Sequence, residues 1–410
     1  MYQWSEMELA IQDAIRQFVD AEIRPLREEL EFGDLPPYDI LRKLWKTFGI
    51  DVMATEALNK MLAKERDGAP AGGTGGGMGG ALGGQGGMGV ILVKEICRVC
   101  PGFVGAFGVS LGLGAATILA RGTPAQKQRW VPSLVTLEKI AAWALTEPDS
   151  GSDAFGSMKT TVRRDGDDYI LNGQKTFITN GPYADTVVVY AKLDDGATAP
   201  RDRKILTFVL DSGMPGFTQG KPFRKMGFHS SPTGELFFTD VHLGRDRLLG
   251  ETEQHDEGDG RDSAKSGFVA ERTGVAAMSL GIIEECVDQC VRYAKERVQF
   301  GRPIGDYQLI QLKLAQMEIA RINVQNMVFR SLEMAADGKR PTLAEASAMK
   351  LYASQTATEV AMEAVQLFGG NGYMSAYPVE QLARDAKSLM IYAGSNEIQA
   401  THVAKGLLET

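Results

Sequence analysis

Three stretches concentrate residue types that can do chemistry. "WALTEPDSGSDAFGSMKT" (143–160) puts Thr146, Ser150 and Ser152 close together around Gly151. Hydroxyls and backbone N–H groups gathered in one loop suit an anionic ligand that needs many hydrogen bonds. Taken alone, the same stretch is equally a polar turn. "SGFVAERTGVAAMSLGI" sets Glu271 on a helical pattern, where Gly267, Phe268 and Val275 give it an apolar face. A carboxylate there is either a surface group or lines a pocket. "LMIYAGSNEIQATH" (389–402) leads into a last helix with Glu397 in its first turn, a position that the helix dipole favours for an acid.

Other chemistries are disfavoured. The net charge is −8 and no basic block stands out to meet phosphates, which argues against nucleic-acid binding. No apolar run is read as reaching about 18 residues, so no membrane span is expected. The N-terminal "MYQWSEMELAIQDAIRQF" is amphipathic and acidic, unlike a signal peptide, and a cytoplasmic protein is the default expectation. Cys97, Cys100, Cys286 and Cys290 sit in apolar-periodic helical segments. They read as buried helix cysteines rather than a zinc set, which favours turns and knuckles. His229, His242, His255 and His402 form no ligand spacing. The glycine-rich segment 68–89 follows a Lys/Arg/Glu-rich helix end and lacks the strand-to-helix spacing of a phosphate loop. It reads as a flexible loop, with a mobile wall of a substrate pocket as the functional alternative.

The elements that must position these residues fall into three blocks: 1–137, 138–249 and 250–410. The first reads as helices. Ser5 and Glu8 fit a capping box, and Gly49 fits the end of the "YDILRKLWKTFGI" helix. The second contains "DDYILNGQKTFITNG", "DTVVVYAKL", "KILTFVL" and "GELFFTDVHL", short β-branched and aromatic runs with the spacing of an antiparallel β domain. The third returns to helical periodicity, over about 267–298, 307–337, 343–368 and 378–388, with a last helix after Ser395. Its first part, 250–266, is acidic and poor in apolar residues and reads as a solvated loop.

Five motifs in order, "WALTEPDSGSDAFGSMKT", "LNGQKTFITNG", "YAKERVQFGRPIGDYQLIQ", "QLFGGNGYMSAYPVEQLARDAK" and "IYAGSNEIQ", make the whole chain resemble the acyl-CoA dehydrogenases. These are flavoenzymes that desaturate acyl-CoA thioesters between Cα and Cβ. The resemblance implies an α+β fold: an N-terminal helical domain, a middle antiparallel β domain and a C-terminal four-helix domain. It places FAD between the β domain and the C-terminal helices. Trp143, Leu145, Thr146, Ser152, Phe177 and Thr179 match the flavin side of that site. Arg297, Gln299, Phe300, Gln366, Gly369 and Gly370 match residues that reach the FAD of a neighbouring subunit. Ser395 and Glu397 are assigned to the cofactor, and Ser152, Phe268, Arg272, Tyr392 and Gly394 to the substrate. A homotetramer, built as a dimer of dimers, an acyl-CoA substrate and an electron-transfer flavoprotein as partner follow from the same resemblance, as does a role in fatty acid metabolism.

In most relatives the catalytic base is a Glu in the "IYAGSNE" motif, at the position of Ala393. The Ala393 backbone N–H can still donate to a thioester oxygen, but the side chain cannot take a proton. The resemblance supplies the base from elsewhere. In the isovaleryl-CoA and long-chain branch the base sits in an "ER" pair like Glu271–Arg272, and isovaleryl-type members carry a small residue where Ala393 stands. A branched, bulky or long acyl chain is therefore expected. The rival readings are an acyl-CoA oxidase on the same fold and a non-catalytic flavin- or CoA-binding subunit of a mixed assembly.

Overall fold

The computed structural model describes residues 2–66, 87–254 and 258–409. Among the described residues seven helices come first: α1 Glu6–Phe18, α2 Arg27–Phe32, α3 Tyr38–Thr47, α4 Ile50–Arg66, α5 Met88–Cys97, α6 Pro101–Arg121 and α7 Pro124–Val135. The Ser5–Glu8 capping box starts α1, and Gly49, at φ 62°, follows the end of α3. Most of the glycine-rich segment lies outside the described residues.

One expectation fails at α6. It is long and apolar enough to cross a membrane by length and composition, and no charge interrupts it before Arg121. Half of its apolar window is buried inside the fold. The Ser110 hydroxyl accepts the Ala141 N–H at 2.9 Å, which seats the helix against the sheet.

The middle block is one seven-stranded sheet. Its strands are β1 Ala141–Ala144, β2 Thr161–Asp165, β3 Asp168–Thr179, β4 Thr186–Leu193, β5 Ile205–Asp211, β6 Phe217–Gln219 and β7 Thr233–Leu243. The order is β1-β4-β2-β3-β7-β6, with β5 on the other edge of β4. The expected all-antiparallel pairing is corrected here, because β4 runs parallel to both β1 and β2. β4 is buried along its whole length and is apolar without a break from Val187 to Ala191, as suits a strand covered on both faces. β7 is buried only at intervals.

The segment 250–266 is also corrected. Residues 260–266 form a helix, α8 Gly260–Ser266, because the Asp259 carboxylate accepts the Arg261 N–H at its start. Four long helices follow: α9 Phe268–Glu296, α10 Gln308–Ala336, α11 Leu343–Phe368 and α12 Pro378–Leu389, then the last, α13 Asn396–Leu408. Between α9 and α10 lies a hairpin, β8 Val298–Gln299 and β9 Arg302–Pro303.

The N- and C-terminal helices share one core, in which Ile23, Trp45 and Phe103 join Ile282 and Leu389. α5 and α9 approach so closely that a Cβ on Gly281 would lie 2.2 Å from the Lys94 carbonyl. Cys97, Cys100, Cys286 and Cys290 are buried free thiols, each held protonated by burial.

Two buried polar residues join the sheet to its surroundings. Asn180, fully buried at the end of β3, donates to the carbonyls of Ala106 and Ala141 and accepts from the Tyr38 hydroxyl. Lys175, fully buried within β3, pairs with Glu147 at 2.8 Å and donates to the Leu145 carbonyl at 3.0 Å. Glu147 also accepts N–H bonds from Lys159 and Thr160. Burial disfavours its charge, but the Lys175 ammonium and these donors win and hold its carboxyl below the usual range. The pair therefore shapes the loop 145–160 from inside. Lys175→Met would strand a buried carboxylate, and we expect a loss of about 3–5 kcal/mol in urea unfolding.

Candidate functional site

Glu271 stands in the first turn of α9, with its residue half-buried. Burial pushes its carboxyl up to about 7, while Arg272 and Lys350 oppose the shift. A carboxyl group that titrates near neutrality can take and release a proton at physiological pH.

The turn 390–395 lies across from it. Ala393 and Gly394 both adopt left-handed backbone, at φ 56° and 80°. Their carbonyls point towards the helices: Gln399 Nε2 donates to both, at 2.8 and 2.7 Å, and Lys350 Nζ donates to Gly394 at 2.8 Å. Among the described residues nothing accepts a hydrogen bond from the Ala393 N–H. Tyr392 lies near Glu271: burial is the main cause that raises its hydroxyl above the ordinary value, and the Glu271 charge adds to it. Its hydroxyl contacts the Met278 sulfur and its ring packs against Phe228. Arg272 is turned inward. Its guanidinium bonds the Ser347 hydroxyl at 2.8 Å, lies 5.3 Å over the half-buried Phe268 ring, and comes 3.8 Å from where a Cβ on Gly394 would stand. Glu271, Phe268, Arg272, Tyr392, Ala393 and Gly394 are thus brought together.

A second group gathers around the C-terminal half of β3. Between Lys175 and Ile178 two residues of β3 face a single residue of β7. This bulge lets the Thr176 N–H bond the Thr146 carbonyl at 2.9 Å and turns Phe177 outward at φ 56°. Phe177 is 67% exposed, beside Phe223. An aromatic ring held in the open by strained backbone is a ready platform for a flat ring system. Leu145 and Thr146 lie on the strapped loop, Thr179 pairs with Thr233 near the end of the strand, and Ser152 is exposed on the turn beyond. Trp143 is half-buried, and its Nε1 donates to the Tyr190 hydroxyl at 3.1 Å. Exposed aromatic, loop N–H groups and hydroxyls fit a flavin bearing a pyrophosphate. At the start of α13, Ser395 is the half-buried cap residue. Glu397 is exposed, its carboxyl lowered by a hydrogen bond from Ser395.

The third predicted group is elsewhere. Arg297 lies at the far end of α9, roughly 39 Å from Glu271 at about 1.5 Å of rise per residue. Gln299 and Phe300 follow on the hairpin, where Phe300 is 94% exposed. The end of α11 joins them: Tyr293 stacks on Phe368 with ring centroids 4.0 Å apart, and Gln366, Gly369 and Gly370 are exposed beside that stack. These six residues cluster with one another and do not reach Glu271 within one chain.

Sequence reasoning missed Lys350, Gln399, Lys175 and Asn180, all fully buried. The available signal was a lone lysine amid small and apolar residues, as in "ASAMKLYAS".

Models of the N-terminal, middle and C-terminal domains of acyl-CoA dehydrogenase match residues 67–138, 142–241 and 258–408. An acyl-CoA dehydrogenase of Bacillus subtilis is 36% identical over 98% of each chain. The chain belongs to the acyl-CoA dehydrogenase family. The mitochondrial isovaleryl-CoA dehydrogenase of Oryza sativa is 38% identical over 79% of this chain and 78% of its own. The solved structure of butyryl-CoA dehydrogenase from Megasphaera elsdenii aligns with a TM-score of 0.83 at 33% identity, covering 100% of both chains. The family is flavin-dependent, and this acyl-CoA dehydrogenase chain is an oxidoreductase of that kind.

The elevated Glu271 carboxyl has a consequence for stability. Its folded value lies above its unfolded value, so folding favours the protonated form, and this contribution is lost as pH rises towards 7. Glu271→Gln is neutral in both states. We expect it to be more stable than the parent above pH 7, by about 1–2 kcal/mol after discounting for partial exposure, and no different at pH 4. Urea melts at the two pH values measure the difference.

Proposed function

We propose that the protein is an FAD-dependent enzyme that introduces a double bond between Cα and Cβ of an acyl-CoA thioester. The observation that carries this reading is the pairing of Glu271, poised near neutrality, with the unengaged Ala393 N–H on the facing turn. In this reading Glu271 removes the Cα proton as general base. The Ala393 N–H donates to the thioester oxygen, where charge gathers as that proton leaves. FAD, when bound, supplies the acceptor for the Cβ hydride. Phe177, Thr179, Thr146, Leu145, Trp143 and Ser152 would hold it on the sheet side, with Ser395 and Glu397 at the start of α13. Burial of Arg272 behind the turn supports a bracing role for it more than contact with CoA.

The units 1–137, 138–249 and 250–410 would then act together, with the flavin between the second and third. The remote cluster of Arg297, Gln299, Phe300, Gln366, Gly369 and Gly370 supports a homo-oligomer in which these residues complete the cofactor site of a second subunit. α10 supports the same reading: Leu309, Leu312, Ile319 and Ile322 are exposed along it, while Met317, Val324 and Val328 on the same helix are buried. An unpartnered apolar surface of this kind suits burial against another copy. A homotetramer, reoxidised by an electron-transfer flavoprotein, is the assembly proposed.

Ala393 in place of a long acid leaves volume in the wall of the site, which favours an acyl group that is branched, bulky or long. Anaerobic mixing with straight, branched and aromatic acyl-CoA thioesters, read by flavin bleaching, tests all of this. Branched or long substrates should bleach fastest, and a clear preference for butyryl-CoA overturns the specificity. Glu271→Gln should slow bleaching by about 10²–10⁴-fold, the range for loss of a general base. No bleaching with any thioester favours the non-catalytic subunit, and rapid reoxidation by O₂ favours the oxidase.

A further inference from the structure

Lys350 lies in the N-terminal third of α11 and is fully buried. A lysine without a counter-ion in such a place is costly, and structural lysines of this kind are usually paired with a carboxylate. Lys175 follows that rule with Glu147. Lys350 does not. Its two acceptors are neutral, the Gly394 carbonyl at 2.8 Å and Asn396 Oδ1 at 3.0 Å. Among the described residues no carboxylate comes within ion-pair distance. Asn396 is itself fixed by a second donor, the Ser354 hydroxyl at 3.1 Å.

The surroundings are a small, closed set. Glu271 is faced by Arg272 on its own helix and by Lys350 on α11, and the Tyr392 hydroxyl approaches from the turn. Lys350 is faced in turn by Arg272 and, on α13, by Glu397. Arg272 is faced by His402 on α13. Burial brings the Lys350 ammonium down to about 8, with the Glu271 charge opposing that shift, so it remains cationic at neutral pH.

We propose that Lys350 is a positioning residue for proton transfer, which clamps the Gly394 carbonyl inward so that the Ala393 N–H stays available, and whose cation, without forming an ion pair, favours the anionic form of Glu271. The two tasks use one group. The clamp needs only an N–H donor at the turn. The counter-charge needs a cation, and it explains why a lysine occupies a place that a neutral donor could fill. This inference rests on the desaturation reading given above.

The experiment separates the two tasks and separates this inference from that reading. Lys350→Met removes donor and charge, Lys350→Gln keeps a donor without charge, and Lys350→Arg keeps both. Each is purified with its FAD, and the rate of flavin bleaching by the best acyl-CoA is followed from pH 5.5 to 9.5. In Lys350→Gln the acid limb should move about one unit to higher pH, the size of effect expected from loss of a nearby opposite charge. Its rate should return to within about threefold of the parent at pH 9. Lys350→Met should show the same shift and stay at least about tenfold slow at all pH values, since the oxyanion donor is no longer held. Lys350→Arg should keep the parental acid limb. A folded, FAD-loaded Lys350→Gln with an unmoved acid limb overturns the counter-charge. Should Lys350→Met fail to fold, Lys350→Leu is read in its place, and a parental rate at pH 9 in the folded variant overturns the clamp. If Glu271→Gln bleaches normally, the desaturation reading fails instead.

Discussion

Two consecutive left-handed residues, Ala393 and Gly394, are the constraint around which the rest of the site is arranged. Alanine resists this conformation, at a cost of order 1–2 kcal/mol. It persists only because the surrounding structure over-determines it. Gln399 donates to both carbonyls and Lys350 to the second; Lys350 projects from α11, which is buried along its length, and Gln399 from the buried first turn of α13. Turning both carbonyls to the helix side is what leaves the Ala393 N–H unengaged. The strain is thus local, and in the proposed reading it aims one backbone dipole.

Buried charge repeats the same logic on the other wall. Lys175 and Glu147 carry no reacting atoms, yet between them they hold Leu145, Lys159 and Thr160, and so the loop that bears Thr146 and Ser152. Asn180 ties the end of β3 to α3, α6 and β1. The bulge before it can therefore present Phe177 in the open without the strand end fraying. Helix length sets the remaining relation. α9 has Glu271 at one end and Arg297 beyond the other, and a rigid rod of 29 residues cannot bring both to one ligand. Either the far cluster is idle or a second chain brings a ligand to it.

Periodicity and turn chemistry made most of the helices legible. The Ser5–Glu8 box, the glycine after α3 and the four long C-terminal helices needed only local rules. What local rules cannot supply is pairing across the chain. β1 joins β4 from more than 40 residues away, so a run of β-branched residues identified the strand but not its parallel partner. α6 contains no charge over a span long enough for a membrane, and only the tertiary structure shows that it packs on the sheet. The acidic stretch before α9 read as loop because its helix depends on the Asp259 cap rather than on an apolar stripe. Glu271 and Ala393 became a pair through family resemblance, whereas Lys350 escaped notice. A lysine in a helix ordinarily counts as solvent-facing, and its acceptors lie 44 and 46 residues further on.

In the proposed reading, placing the carboxylate on α9 and the oxyanion donor on the 393–394 turn divides two jobs between two elements. A turn in strained backbone is well suited to aim an N–H, which moves with the chain itself. A carboxylate at the end of a flexible side chain on that turn would share its motions. On α9 the carboxylate rises from a helix packed against α5, α10, α11 and α12, so its root is fixed independently of the turn. The two walls then need a common reference, and α11 supplies it. Ser347 holds Arg272 of α9, and one turn further along, Lys350 holds the carbonyl of the 393–394 turn. With alanine at position 393 the turn then has one task in the proposed reading, and α11 is the element whose position would set the distance between proton acceptor and oxyanion donor.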